Sequence, residues 1–134
     1  RQMCIRDRYG VTFERGTVVE YGDRAQAFIS GTASIDNKGR VVHVGDIVRQ
    51  THRMWENVDA LLAEADMNLT DHAAQITVYL RDTADYVTVR DLFAARFPHV
   101  PTIITLAPVC RPEWLIEMEC IAVADRHNET YRPF

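Results

Sequence analysis

The chain predicts an α+β fold: a mixed β-sheet with two helices packed on one of its faces. Three observations carry this. Residues 25–34 alternate strictly: Ala25, Ala27, Ile29, Gly31 and Ala33 fall on one side, and Gln26, Phe28, Ser30, Thr32 and Ser34 on the other. Ile47, Thr51, Met54, Trp55, Val58, Leu61, Leu62 and Ala65 recur at helical spacing, an amphipathic stripe. Residues 101–124 hold two Ile/Val/Leu-rich runs of strand length, joined by a segment with Pro108, Arg111 and Pro112, which reads as two core strands and a connector.

Residues 1–8 follow neither period and begin without methionine, so 1–10 are read as a non-native or disordered leader outside the fold. Residues 11–21 read as strand, with Gly16 as a bend, and Tyr21-Gly22-Asp23-Arg24 supplies a hairpin turn into the next strand. Asp36-Asn37-Lys38-Gly39 is a second turn, after which 40–43 reads as a short edge strand. Asp46 is the N-cap of a helix reaching to about residue 66, with Trp55 in the core rather than on a ligand. Residues 71–81 form the next strand, its aliphatic side Ala74, Ile76, Val78 and Leu80. A second helix over 85–97 buries Val87, Val89, Leu92, Phe93 and Phe97, and Pro98 and Pro101 stop it. Residues 126–134 are a polar tail.

Composition narrows the function. The 134 residues are 47% apolar and 25% charged, one domain with material for a core. A net charge of -4 and a single lysine, Lys38, argue against a nucleic-acid binder. Three cysteines without a CxxC pair and five histidines without ligand spacing suggest neither disulfides nor a metal. No apolar run reaches the roughly 18 residues of a membrane span. A soluble cytoplasmic protein is the expectation.

Two helices cover one sheet face. The other carries Phe28, Ser30, Thr32, Thr77, Tyr79, Ile121 and Val123 with Glu117 and Glu119, too apolar for solvent and too polar for a sealed core. A closed oligomer with clefts at its seams would cover it.

Several segments, in order and spacing, resemble the Rid (YjgF-like) family over residues 13–123. They are Phe28-Ile29-Ser30-Gly31, the 36–39 turn, Gln50-Thr51 and Glu56-Asn57-Val58, Val78-Tyr79-Leu80 with Asp82 and Asp85-Tyr86, and the ending 116–122. The resemblance implies a chorismate-mutase-like α+β fold, with 11–125 as the Rid-like domain. It also implies a homotrimer with three inter-subunit clefts. The implied activity is cofactor-free hydrolysis of enamines and imines to keto acids and ammonia; the acidic balance and the short apolar runs argue for no nucleic-acid or membrane partner. The family's final-strand glutamate carries over to Glu117. Its carboxylate-binding arginine does not, since Ile103 stands there, and Phe13-Glu14-Arg15-Gly16 stands where a Pro-Tyr-Ser motif is usual. Cys110-Arg111-Pro112 ahead of Glu117, with Tyr79-Leu80-Arg81-Asp82, is similar to the C-terminal half of chorismatases.

Glu117 is thus the candidate acid/base, because a partly buried carboxyl can donate a proton and then position water. For Glu119 a structural salt bridge is the better reading. Arg111 and Arg81 are candidates for gripping a substrate carboxylate, since guanidinium offers a bidentate fork. Cys110 is read as pocket wall, Ser30 as a hydrogen-bonding group, Gly31 as a point of close approach, and Tyr79 as cleft lining. A chorismatase-like hydrolase and a non-enzymatic trimer binding a small acid are the alternatives.

Overall fold

The computed structural model describes the backbone of residues 2–5 and residues 14–134 in full. Its elements are β1 (Gln2–Ile5), β2 (Gly16–Glu20), β3 (Arg24–Ala33), α1 (Ile47–Ala63), α2 (Leu69–His72), β4 (Ala73–Leu80), α3 (Tyr86–Arg96), β5 (Thr102–Leu106) and β6 (Ile116–Asp125). They build one six-stranded sheet in the order β1-β2-β3-β6-β4-β5. Every pairing is antiparallel except β4 with β5, which α3 joins as a crossover. This is the mixed α+β sheet that the sequence predicts. Among the described residues no helix is long and apolar enough to cross a membrane.

The α1 stripe does what its spacing requires. Met54, Trp55, Val58, Leu61 and Leu62 are buried against Ala27, Ile29, Met118, Cys120 and Ala122 of the sheet. Asp46 caps the helix by accepting from the Arg49 N–H at 3.0 Å. Trp55 packs edge-on against Phe93 and Phe97, which locks α3 to α1.

Six expectations change. Gln2–Ile5, assigned to the leader, pairs antiparallel with β2, so part of that segment belongs to the sheet; residues 6–13 lie outside the described residues. The return strand at 40–43 is reduced to one bridge, Ile35 with Val41, because Asp36 accepts from the backbone N–H groups of Lys38 and Arg40 and closes a tight turn. The residues after α1 form a short helix, α2, capped by the Asn68 side chain. A shift in register between Ala73 and Gln75 turns Ala73 rather than Ala74 toward the core. Val87 is exposed while Val89 and Phe93 fill the core. And β5 is an edge strand rather than a core strand, with Ile103 60% exposed. The tail, for its part, packs along the β2–β3 turn: Asn128 N–H donates to Gly22 O, Gly22 N–H to Arg132 O, and a Cβ on Gly22 would overlap the Tyr131 carbonyl.

Gln50 ties the far end of the sheet together. It is fully buried, donates Nε2 to His43 O (3.2 Å) and Glu113 O (2.9 Å), and accepts from the Leu115 N–H (2.9 Å). These bonds fix the β5–β6 connector to the first turn of α1. Gln50→Ala takes the partner from one donor and two acceptors and leaves a cavity, so urea unfolding should show a loss of about 3 kcal/mol. A loss under about 0.5 kcal/mol would mean that water replaces the side chain there.

Candidate active site on the open face of the sheet

The helices that pack on the sheet lie on one side. The opposite side is formed by Thr17 and Val19 of β2, Gln26 and Phe28 of β3, Glu117, Glu119, Ile121 and Val123 of β6, Gln75, Thr77 and Tyr79 of β4, and Ile103 and Thr105 of β5. Phe28 is 41% exposed and Ile103 more so, so apolar surface stands beside acids.

The centre of this face is shaped by an irregularity in β3. Ile29 pairs with Cys120 and Thr32 with Met118, so three steps along β3 match two along β6. Ser30 and Gly31 together oppose Glu119, a β-bulge. The extra residue reverses the alternation predicted for 25–34. Thr32 and Ser34 turn inward and are buried, whereas Thr32 was expected on the open face. Gly31 now meets Glu117: a Cβ there would overlap Glu117 Oε1. The bulge is stitched to the segment before β2. Ser30 Oγ donates to Glu14 O (2.7 Å), Ser30 N–H donates to Arg15 O (3.0 Å), and the Arg15 guanidinium reaches Gly31 O (3.3 Å) and Thr32 Oγ1 (3.4 Å).

Glu117 is half-buried in this setting. Burial pushes its pKa up, the Arg15 guanidinium opposes that rise, and the Glu119 carboxylate adds to it. Tyr79 lies directly opposite Glu117 in register, but its hydroxyl donates to Glu119 Oε1 at 2.5 Å. That bond, reinforced by burial and the two carboxylates, raises the Tyr79 pKa and keeps the phenol protonated. Glu119 therefore holds a tyrosine, not the salt bridge expected of it. A carboxyl whose pKa is raised thus stands two residues along one strand from a second carboxyl that is held by a tyrosine.

The fold brings Glu117, Gly31 and Tyr79 together and puts Ser30 at the bulge with its hydroxyl committed to Glu14 O. Arg81 is placed otherwise. Its Nε donates to Trp114 O (2.9 Å) and its Nη2 to Val109 O (3.1 Å) and Arg111 O (2.7 Å), so it holds the connector instead of presenting a fork to a ligand. Arg111 and Cys110 are exposed on that connector; Arg111 stacks over the Trp114 ring and donates to Gly39 O at 2.6 Å. Cys120 is buried, its thiol pushed up to about 12 by burial and the nearby Asp59 and Glu119, so it is no thiolate. Among the described residues no cluster of three His, Cys, Asp or Glu side chains is arranged to hold a metal. Arg15, 6% exposed, is the residue that sequence reasoning missed. The hint was its place beside Gly16 in a segment read as strand, but nothing local indicates that the side chain turns inward.

A depression of about 330 Å³ opens beside this centre, bordered by Thr17, Phe28, Ser30, Gln75 and Glu119. In the single chain it is shallow and lacks a far wall.

Comparison with known proteins identifies the family. A RutC family protein of Pyrococcus abyssi is 35% identical over 97 residues, 71% of this chain and 76% of that protein. The 3-aminoacrylate deaminase RutC of Acinetobacter baylyi is 32% identical over the same shares. A solved chorismatase superposes with a TM-score of 0.76 at 25% identity, over 91% of this chain and 44% of that one. Residues 17–124 match the family described as Endoribonuclease L-PSP, a stretch running from β2 to β6. The chain belongs to that family, the Rid (YjgF-like) proteins.

Proposed function

We propose that this chain is a cytoplasmic, cofactor-free hydrolase of small carboxylated metabolites, of the enamine/imine deaminase type. It works in clefts between the subunits of a homotrimer, with neither nucleic acid nor membrane as partner. The observation that carries the reading is the Glu117 carboxyl: half-buried, with a raised pKa, and lodged on the bulge glycine of the face that no helix covers. The 32% identity to a 3-aminoacrylate deaminase supports the substrate class.

The chemistry needs one proton donor that becomes a base. Protonated Glu117 delivers its proton to the β-carbon of an enamine, converting the C=C–N unit to an iminium. The carboxylate left behind takes a proton from water as its oxygen bonds to the iminium carbon. The resulting carbinolamine loses ammonia and leaves a keto acid. Burial favours the protonated form of Glu117, and the Glu119 carboxylate, held by Tyr79, supports the same state. Arg111 binds the substrate carboxylate in place of the arginine absent at Ile103. Its Nη1 is held by Gly39, and the rest of its fork points to no acceptor among the described residues. Cys110 borders the same end of the cleft. Another subunit supplies the wall that the depression beside Glu119 lacks.

A chorismatase-like hydrolysis is the second reading. It is favoured by the Cys110-Arg111-Pro112 connector and by the structural likeness to chorismatase. The same acid would then protonate an enol ether.

Incubation with enamines generated from serine or threonine, and separately with chorismate, tests both. Turnover of the enamine with release of ammonia is expected, and turnover of chorismate alone selects the second reading. Thermal stabilisation by small carboxylates without turnover of either marks a binding protein instead. Glu117→Gln should lower kcat/KM at least about a hundredfold, the usual worth of a positioned acid. Equal rates would remove Glu117 from the reaction.

The pH dependence has a definite sign. Protonated Glu117 starts the reaction, so kcat/KM should fall as pH rises through its raised pKa. Glu119→Gln removes a charge that favours the protonated form, so the fall should move to lower pH. An unmoved profile would place the limiting proton elsewhere. Folded Glu117 also binds its proton more tightly than unfolded Glu117. Its contribution to stability is therefore greatest at low pH and is lost as pH rises through the folded value.

Gly31→Ala offers a separate check. The added methyl meets only the end of a flexible side chain, which can swing aside. Stability should change by less than about 1 kcal/mol, because the displaced group is polar and half-exposed. The rate should fall at least about tenfold, since misplacing a reacting group is costly. Wild-type rates would show that the contact between Gly31 and Glu117 has no part in the reaction.

A further inference from the structure

We propose that Arg15 is the positioning residue of the Glu117 site: it clamps the β3 bulge against which the Glu117 carboxyl rests and supplies the positive charge that balances the acids there. This builds on Glu117 as the acid. Its test reads titration rather than turnover, so either idea can fail while the other stands.

The geometry of the clamp comes first. An unrestrained bulge is a point where a ladder yields, because two residues there share one partner. Here four hydrogen bonds run from residues 14 and 15 to residues 30, 31 and 32. Two of the four come from the Arg15 guanidinium, whose planar fork spans Gly31 O and Thr32 Oγ1. Gly31 sits inside this clamp, and the Glu117 Oε1 lies where its Cβ would be. A shift of the bulge therefore moves the surface on which the carboxyl rests.

The charge follows. Arg81 is committed to three connector carbonyls, and Arg111, on the same connector, donates Nη1 to Gly39 O. Among the described residues, Arg15 is the guanidinium whose charge acts on Glu117. Among the described residues, the groups around Glu117 can be named element by element. From β4 there is Tyr79, neutral and bound to Glu119; from β6, Glu119 itself. From the segment before β2 come Arg15 and Glu14, the latter accepting from Thr17 Oγ1 at 3.2 Å. The described open-face positions of β2, β3 and β5 hold Thr17, Val19, Gln26, Phe28, Ile103 and Thr105, none of them ionisable, and at the far end of β3 Arg24, which is paired with Asp23 at 2.8 Å. When Glu117 gives up its proton, Arg15 is the charge that steadies the carboxylate, which must persist long enough to act as base. Burial favours one protonation state and Arg15 the other, so both stay within reach in one catalytic cycle.

The experiment is nuclear magnetic resonance on the intact protein, with 13C in glutamate side chains and 15N in arginine side chains. In the wild type the Arg15 Nε resonance should shift with pH at the midpoint of Glu117, and this shift should vanish in Glu117→Gln. In Arg15→Met the Glu117 midpoint should rise above the wild-type value. In Arg15→Lys, which restores the charge without the fork, it should fall between the two. A wild-type Arg15 resonance that ignores the Glu117 titration overturns the proposal. So does a Met variant with an unchanged midpoint, or Lys and Met variants that shift equally. Should Arg15→Met fail to fold, the wild-type resonance and Arg15→Lys decide the matter.

Discussion

The structure turns on one extra residue. Between Ile29 and Thr32, β3 spends three steps where β6 spends two, and everything distinctive about the open face follows. The bulge brings Gly31 against the Glu117 carboxyl, sends Thr32 and Ser34 inward, and gives the segment before β2 backbone groups to bind. A regular β3 would keep Thr32 outside, carry the glycine face into the core, and leave Glu117 on a flat sheet. There it would be well hydrated and would titrate like an ordinary carboxyl.

The far end of the sheet is organised by a second principle, in which long polar side chains substitute for secondary structure. The β5–β6 connector has no ladder of its own. Gln50 and Arg81 bind its backbone at Glu113, Leu115, Trp114, Val109 and Arg111. Trp114 returns a bond to Ser34 O, and Arg111 one to Gly39 O. Buried backbone groups must be satisfied, and here side chains satisfy them. A connector held this firmly can present Arg111 and Cys110 without ordering itself when a ligand arrives, which suits the binding role proposed for it.

Much of this was legible in the sequence, and the failures have physical causes. The α1 stripe, the Asp46 cap, the 21–24 and 36–39 turns and the inward side of β6 follow from periods and turn chemistry that act over a few residues. Strict alternation cannot anticipate an insertion, so 25–34 reads as strand but with the wrong face beyond Ser30. Ser30-Gly31 was the available signal, since glycine inside a strand often marks a bulge. β5 read as a core strand because its composition is apolar, while its place at the sheet edge is set by topology. Arg81 and Arg15 were beyond reach for a common reason. A charged side chain that ends among backbone carbonyls looks, in sequence, the same as one that ends in water.

The central claim is that the acid on this sheet works on a face closed by further copies of the chain. Sedimentation velocity on the wild type and on Ile121→Glu, run beside the deaminase assay, tests it most directly. Ile121 is on the open face, opposite Phe28 and away from the helices, so a charge there should spare the fold and repel a neighbour. The expected result is a wild-type trimer with activity and an Ile121→Glu monomer that is folded and inactive. A wild-type monomer, or a variant monomer with full activity, would contradict the claim.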